Sequence, residues 1–388
     1  MQQIFKYLKG DGVIWVITLL FLATSLVSVY SFVPILIKTE GGTPFSYLFK
    51  HFIYILLGFF LMFWIHRQDP KYFAKLSRFV FYLAIGLLIF TFFFGVRVNE
   101  AARWVRVPII GLTFQTSDFA KLALIMYISK QLVKKEPFFN NWKKGFVPLV
   151  IPIIIICALI AKDNFSTAAL VFLVSLLLLF IGRVPVGKIF TFIGAGLLSF
   201  GLVILTHIAF PAMNLLPRFD TWMARFFKAY GENIDATSNA QAINAELAIH
   251  NGGYFGVGVG DGKLKQYLPE AYADFYFSSF IEEFGLILAI VLIFLYLILF
   301  FRILKIALNA EKLFETYLCI GIGLMIISQA VVNMMVCTGL IPVTGQNMPL
   351  LAMGGSAMIM SCVSLGMVLS IARKNQPQNN LEVNGIKE

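Results

Sequence analysis

Residues 250–290, HNGGYFGVGVGDGKLKQYLPEAYADFYFSSFIEEFGLILAI, gather most of the chemistry this chain can offer. A glycine-rich loop leads to Pro269 and Glu270. Asp274 follows at the entrance of a long apolar run, with Glu282 and Glu283 two to three helical turns further on. A carboxylate at the mouth of an apolar helix is costly. It is either a solvated helix cap, favoured by the helix dipole, or a general base placed to take a proton at the outer membrane surface. Glu283 lies about 13 Å deeper at helical rise, so it reads as an internal hydrogen-bonding group rather than the base.

Cations stand in three places. The segment 96–117 carries Arg97, Arg103 and Arg106 against the single acid Glu100; it either pairs internally or meets an anion such as a phosphate. The run QTSDFAKLALIMYIS places Asp118 and Lys121 on neighbouring helix turns. They are either a mutual pair or a cation serving an anionic ligand. Arg218, Arg225 and Lys228 fall in RFDTWMARFFKAY, an aromatic-rich amphipathic stretch that reads as an interfacial helix. After it, SNAQAINAELAIHNGG reads as a second helix, capped by Ser238 or Asn239 and ended by Gly252 and Gly253. GVGVGDG has no strand before it, so it is not a dinucleotide loop; its glycines permit tight turns near a ligand headgroup. The prolines and glycines of CTGLIPVTGQNMPLLAMGGSA break helix at membrane depth, where irregular backbone survives only if buried in protein or lining a cavity. Cys157, Cys319, Cys337 and Cys362 lie in or beside apolar runs as small core residues. The four histidines are scattered, which argues against a histidine metal centre.

These groups need a membrane scaffold. Hydrophobic residues make up 59% of the chain and charged residues 13%, with a mean hydropathy of +0.83, which excludes a soluble domain. The apolar run from Val13 to Ile37 is too long for a cleavable signal and reads as a retained first span. Ten spans are expected, at about 13–36, 48–66, 76–95, 118–134, 145–161, 166–182, 188–210, 273–301, 313–337 and 349–372. The fold class is therefore an all-α polytopic integral membrane protein with one domain, 1–388. A large extracytoplasmic loop, 211–272, separates the seventh and eighth spans, and 373–388 is a cytoplasmic tail. Most of the 31 Lys and Arg residues fall on the side of the termini, which places both termini in the cytoplasm. The net charge of +11 then reflects topology and attraction to anionic lipid, not nucleic-acid binding.

Together, FQTSDFAKLALIMY (114–127), NGGYFGVGVGDGKLKQYLPEAYADFYFSSFIEEFG (251–285) and GLIPVTGQNMPLLAMGGSAM (339–358) resemble the SEDS family, the cell-wall glycosyltransferases typified by FtsW and RodA. EAARWV (100–105) and NFSTA (164–168) add to the likeness, which leans towards FtsW of the Bacteroidetes type. The chain departs from the family pattern in places. Tyr272 replaces the family's usual histidine, Lys162-Asp163-Asn164 replaces Gln-Pro-Asp, and AMGGSA replaces SYGGSS.

The resemblance implies polymerisation of lipid II, the undecaprenyl-pyrophosphate-linked disaccharide pentapeptide, at the outer face of the bacterial cytoplasmic membrane, with a place at the division septum. It implies Asp274 as base and Arg103 and Lys121 on the pyrophosphate, with Arg218 or Arg225 beside them. Glu270, Thr344, Gly345, Gly354 and Ser356 would be further substrate contacts. A divalent cation, Mg2+ or Mn2+, could share the charge. The implied partners are a class B penicillin-binding protein transpeptidase, packed on the eighth and ninth spans and the large outer loop, and other divisome proteins. The rival readings are a lipid II flippase, a RodA-type elongation polymerase and a division scaffold.

Overall fold

The computed structural model describes residues 9–98, 101–106, 113–210, 223, 240–268 and 270–375. The helices are α1 (Gly12–Glu40), α2 (Pro44–His66), α3 (Pro70–Phe94), α4 (Thr116–Lys135), α5 (Val147–Ala161), α6 (Phe165–Ile181), α7 (Val186–Ala209), the short α8 (Ala240–Gly252), α9 (Tyr276–Leu308), α10 (Leu313–Cys337) and α11 (Gly355–Lys374). Local chemistry sets several starts. The Asp11 carboxylate accepts from the Val13 and Ile14 amides. Thr43 and Asp69 each cap a helix that opens on proline, and Asn164 accepts from the Thr167 amide at 3.1 Å.

Among the described residues, eight helices are long and apolar enough to cross a membrane, against the ten spans expected. The two expected segments outside that group have physical reasons. α6 is short, at 17 residues. α4 carries Asp118, Lys121 and Lys130; from Thr116 to Ser129 nearly every residue is buried, so its polar groups face protein rather than lipid. Helices α2 and α11 approach closely through small residues. Gly58 faces Cys362, Gly355 lies under the Tyr54 ring, and Gly366 lies against Met62 and Ile65.

An all-α fold is corrected in one place. Part of the segment between the third and fourth expected spans folds as a small antiparallel sheet, β1 (Val96–Val98), β2 (Ala101–Arg106) and β3 (Thr113–Gln115) in that order, with Trp104 opposite Gln115 and Val105 opposite Phe114. Residue alternation in VRV and RWVR suits a strand that buries one face.

Two further departures shape the site. The last helix begins at Gly355, not near 349, and 341–354 is irregular yet largely buried. α9 is broken at Gly285, whose φ is 83°. The glycine loop docks onto this break. Val257 N donates to Glu282 O at 2.9 Å, and Leu286 N and Ile287 N donate to Gly253 O and Tyr254 O at 2.9 and 3.2 Å. Backbone groups freed by the break thus regain partners. The approach needs glycine, since a Cβ on Gly256 would lie 2.2 Å from the Glu283 carbonyl oxygen. The tight turns expected of this loop are present, and their glycines serve packing against α9.

Two buried carboxylates hold the rest of this segment. Glu282 accepts from Asn251 Nδ2 and from the Lys263, Leu264 and Lys265 amides at 2.9–3.3 Å. Glu283 pairs with buried Lys265, and both bond Ser31 of α1. Glu283 is thus the internal hydrogen-bonding group its depth implied. α8 lies where a second outer helix was expected, while the interfacial helix at 218–230 falls almost wholly outside the described residues.

Candidate active site

Asp274 closes a turn in which the Ala273 and Asp274 amides both donate to Glu270 O, at 2.9 and 3.0 Å. Glu270 adopts φ 54° there. The N-cap of α9 is Phe275, so Asp274 lies one residue outside the cap rather than within the first turn. Its side chain is half-buried and reaches the irregular stretch before α11. A Cβ placed on Gly345 would lie 3.7 Å from Asp274 Oδ2 and 3.9 Å from Asn164 Nδ2, so the carboxylate and the amide converge on one glycine.

Several bonds hold that glycine's neighbourhood. Gln346 Nε2 donates to Thr167 Oγ1 on α6 at 2.5 Å. Met353 N donates to Tyr272 O at 2.9 Å. Ser25 of α1 donates to Leu351 O at 2.7 Å, and the Tyr296 hydroxyl donates to Pro349 O. Asn333 Nδ2, from α10, faces the carbonyl oxygens of Ala273, Asp274 and Gln346.

Gly345 also lines a cavity of about 50 Å³ with a mixed polar and apolar wall, room for a few water molecules. Asp118, Lys121, Thr167, Gln329, Gly345 and Gln346 are among its lining residues. Lys121 Nζ lies 2.8 Å from Asp118 Oδ1, both nearly fully buried, and Ser356 Oγ donates to Asp118 Oδ2 at 2.9 Å. The mutual pair is therefore real, and its lysine still faces the cavity. A buried pair with a further hydrogen bond to its carboxylate is the form in which charge survives at membrane depth.

The other expected contacts divide. Thr344 Oγ1 is buried with no hydrogen-bond partner, next to Gly345. Gly354 forms the N-cap of α11, and a Cβ there would strike Asn347 Nδ2 at 2.5 Å. Arg103 belongs to β2, but its side chain lies outside the description, as do Arg218 and Arg225 entirely. Among the described residues, no group of three His, Cys, Asp or Glu side chains is placed to hold a metal ion. Asn164, Gln346 and Asn333 were not foreseen as site residues. Asn333 shares the largely apolar α10 with a second side-chain amide, Gln329, so composition alone does not single it out.

The comparisons with known proteins identify the family and the fold. The family model described as cell cycle protein, covering FtsW, RodA and SpoVE, matches residues 11–377. A relative from Geobacter sp. (strain M18), named probable peptidoglycan glycosyltransferase FtsW, is 32% identical over 368 residues, 94% of this chain and 97% of its own. The protein of the same name from Coxiella burnetii is 31% identical over 375 residues, with 94% and 97% covered. Among solved structures, a chain of a peptidoglycan synthase complex that coordinates polymerization and crosslinking superimposes with a TM-score of 0.71 at 21% identity, covering 95% of this chain and 98% of that one. The rod shape determining protein RodA of Thermus thermophilus gives 0.66 at 21% identity, with 95% and 98% covered. A membrane bundle with these motifs in this order, matched by the family model along nearly its whole length, belongs to the FtsW/RodA/SpoVE family, the SEDS proteins.

Proposed function

We propose that this protein is a peptidoglycan glycosyltransferase that polymerises lipid II at the outer face of the cytoplasmic membrane, with Asp274 as general base. The observation that carries the reading is the shared wall at Gly345. The Asp274 carboxylate meets that glycine, and the cavity holding Lys121 and Asp118 is lined by it. A base and a cation that both neighbour one glycine suit a reaction that removes a proton at one end and releases an anion at the other.

In that reaction the acceptor sugar's 4-hydroxyl attacks the anomeric carbon of the donor. The new C–O bond forms as the bond to the lipid pyrophosphate breaks. The hydroxyl proton passes to Asp274, a contribution of about 10²–10⁴-fold. Lys121 draws charge from the departing pyrophosphate, a role Arg103 is positioned by sequence to share. The relatives' FtsW name supports a role in septal synthesis, and the structural likeness to a chain of a polymerising and crosslinking complex supports a transpeptidase partner. The outer-face assignment follows from the distribution of Lys and Arg.

The test is lipid II polymerisation by the purified protein, with and without a class B penicillin-binding protein. Asp274→Asn keeps the shape and loses the proton acceptor, so it should abolish glycan synthesis while thermal stability stays near the parent's. Substantial synthesis by a folded Asp274→Asn variant removes the base assignment and leaves lipid II transport as the better reading.

A further inference from the structure

Asn333 sits in the apolar run of α10 with 1% of its surface exposed. Its amide nitrogen is 3.3 Å from Ala273 O, 3.0 Å from Asp274 O and 2.8 Å from Gln346 O. An amide carries two hydrogens, so three carbonyls share two donors, and one hydrogen is bifurcated. The acceptors come from two segments that neither helix nor sheet holds at these points: the turn that ends at Asp274 and the irregular stretch before α11. Asn333 is therefore fastened to the backbone of Asp274 itself and, through the same atom, to the neighbour of the glycine that its carboxylate meets.

We propose that Asn333 is a positioning residue: it sets the separation between Asp274 and the Gly345–Gln346 wall, and with it the reach of the base to the acceptor hydroxyl. The inference rests on Asp274 being that base. Apolar neighbours on α10, including Ala330, Val336 and Cys337, are buried, so packing keeps the helix in register without the amide. The backbone it clamps has bonds of its own, from the Glu270 turn and from Met353 to Tyr272, but the Asn333 amide is what ties the Asp274 carbonyl to the Gln346 carbonyl. Displacement of a reacting group by about 1 Å costs on the order of 10²-fold in rate.

The test uses full-length protein in lipid nanodiscs with purified lipid II. Asn333→Ala should lower kcat about 10²-fold with KM little changed, since lipid II binding does not run through this amide. A role in stability alone would lower the active fraction and leave kcat per folded molecule intact. Asn333→Asp provides a near-isosteric second variant. Its protonated form keeps one donor and its ionised form keeps none, so its kcat should fall with rising pH where the parent's does not. Parental kcat in a folded Asn333→Ala, beside an inactive Asp274→Asn, overturns the clamp alone. If Asn333→Ala does not fold, a parental pH profile in Asn333→Asp overturns it. Glycan synthesis by Asp274→Asn overturns the base assignment and the clamp with it.

Discussion

Removing the Lys265 charge is the sharpest test of how the outer segment is held. Lys265 and Glu283 are 2% and 3% exposed, and the Glu283 carboxylate also receives Ser31 Oγ and, at 3.3 Å, the Gly260 amide. Lys265→Met keeps the length of the stem and leaves Glu283 buried without its counter-charge. Breaking a buried pair in this way costs about 3–5 kcal/mol. The two surviving hydrogen bonds place the loss near the lower figure. At about 1.4 kcal/mol per tenfold, the local opening equilibrium should rise on the order of 10²-fold. The reporters are the Lys263, Leu264 and Lys265 amides, which bond Glu282. Hydrogen exchange at these amides should accelerate by that factor, while amides in the α2–α11 contact keep their protection. Adding Glu283→Gln removes the stranded charge and should recover most of the protection. Unchanged exchange in Lys265→Met, or no recovery in the double variant, refutes the pair as the fastening of this segment.

Lys121→Ala should weaken both folding and activity, because it strands Asp118 and removes a cation from the cavity; the activity loss corresponds to about 1.5–3 kcal/mol. Asp118→Asn with Lys121→Met should restore thermal stability but not glycan synthesis, and parental synthesis by that pair would make the ion pair structural alone. Lys263 has an exposed side chain, so Lys263→Cys in a cysteine-free background should react with an impermeant maleimide from the outside of the membrane. Labelling from the cytoplasmic side only would invert the topology and remove the active-site assignment.

Much of this arrangement was legible in the sequence. Length and apolarity located the long helices, and the depth of Glu283 marked it as internal. The broken backbone before the last helix was readable because Pro342, Gly345 and Pro349 leave no helical alternative. What escaped has physical causes. Gly285 sits in a continuous apolar run and looks like any helical glycine; its φ of 83° follows from the docking of Gly253–Gly258, a contact between residues distant along the chain. The small sheet was hidden because its arginines drew attention to charge rather than to alternation. The Asp118–Lys121 spacing fitted both a pair and a ligand site, and only burial and Ser356 decide that the pair forms. Asn333 was invisible because its importance lies in what it faces.

The break at Gly285 bears on how the membrane acts on the enzyme. Unbroken, the 33 residues of α9 would run about 50 Å, well beyond a hydrocarbon core of about 30 Å. The stretch 286–308 alone spans about 34 Å and matches that core with modest tilt. The stub 276–284 is almost entirely enclosed by protein and answers to the docked glycine loop instead. The docked loop bonds both sides of the break, Glu282 before it and Leu286 and Ile287 after it, so the part of α9 that must match the bilayer ends where protein, not lipid, takes hold of the helix.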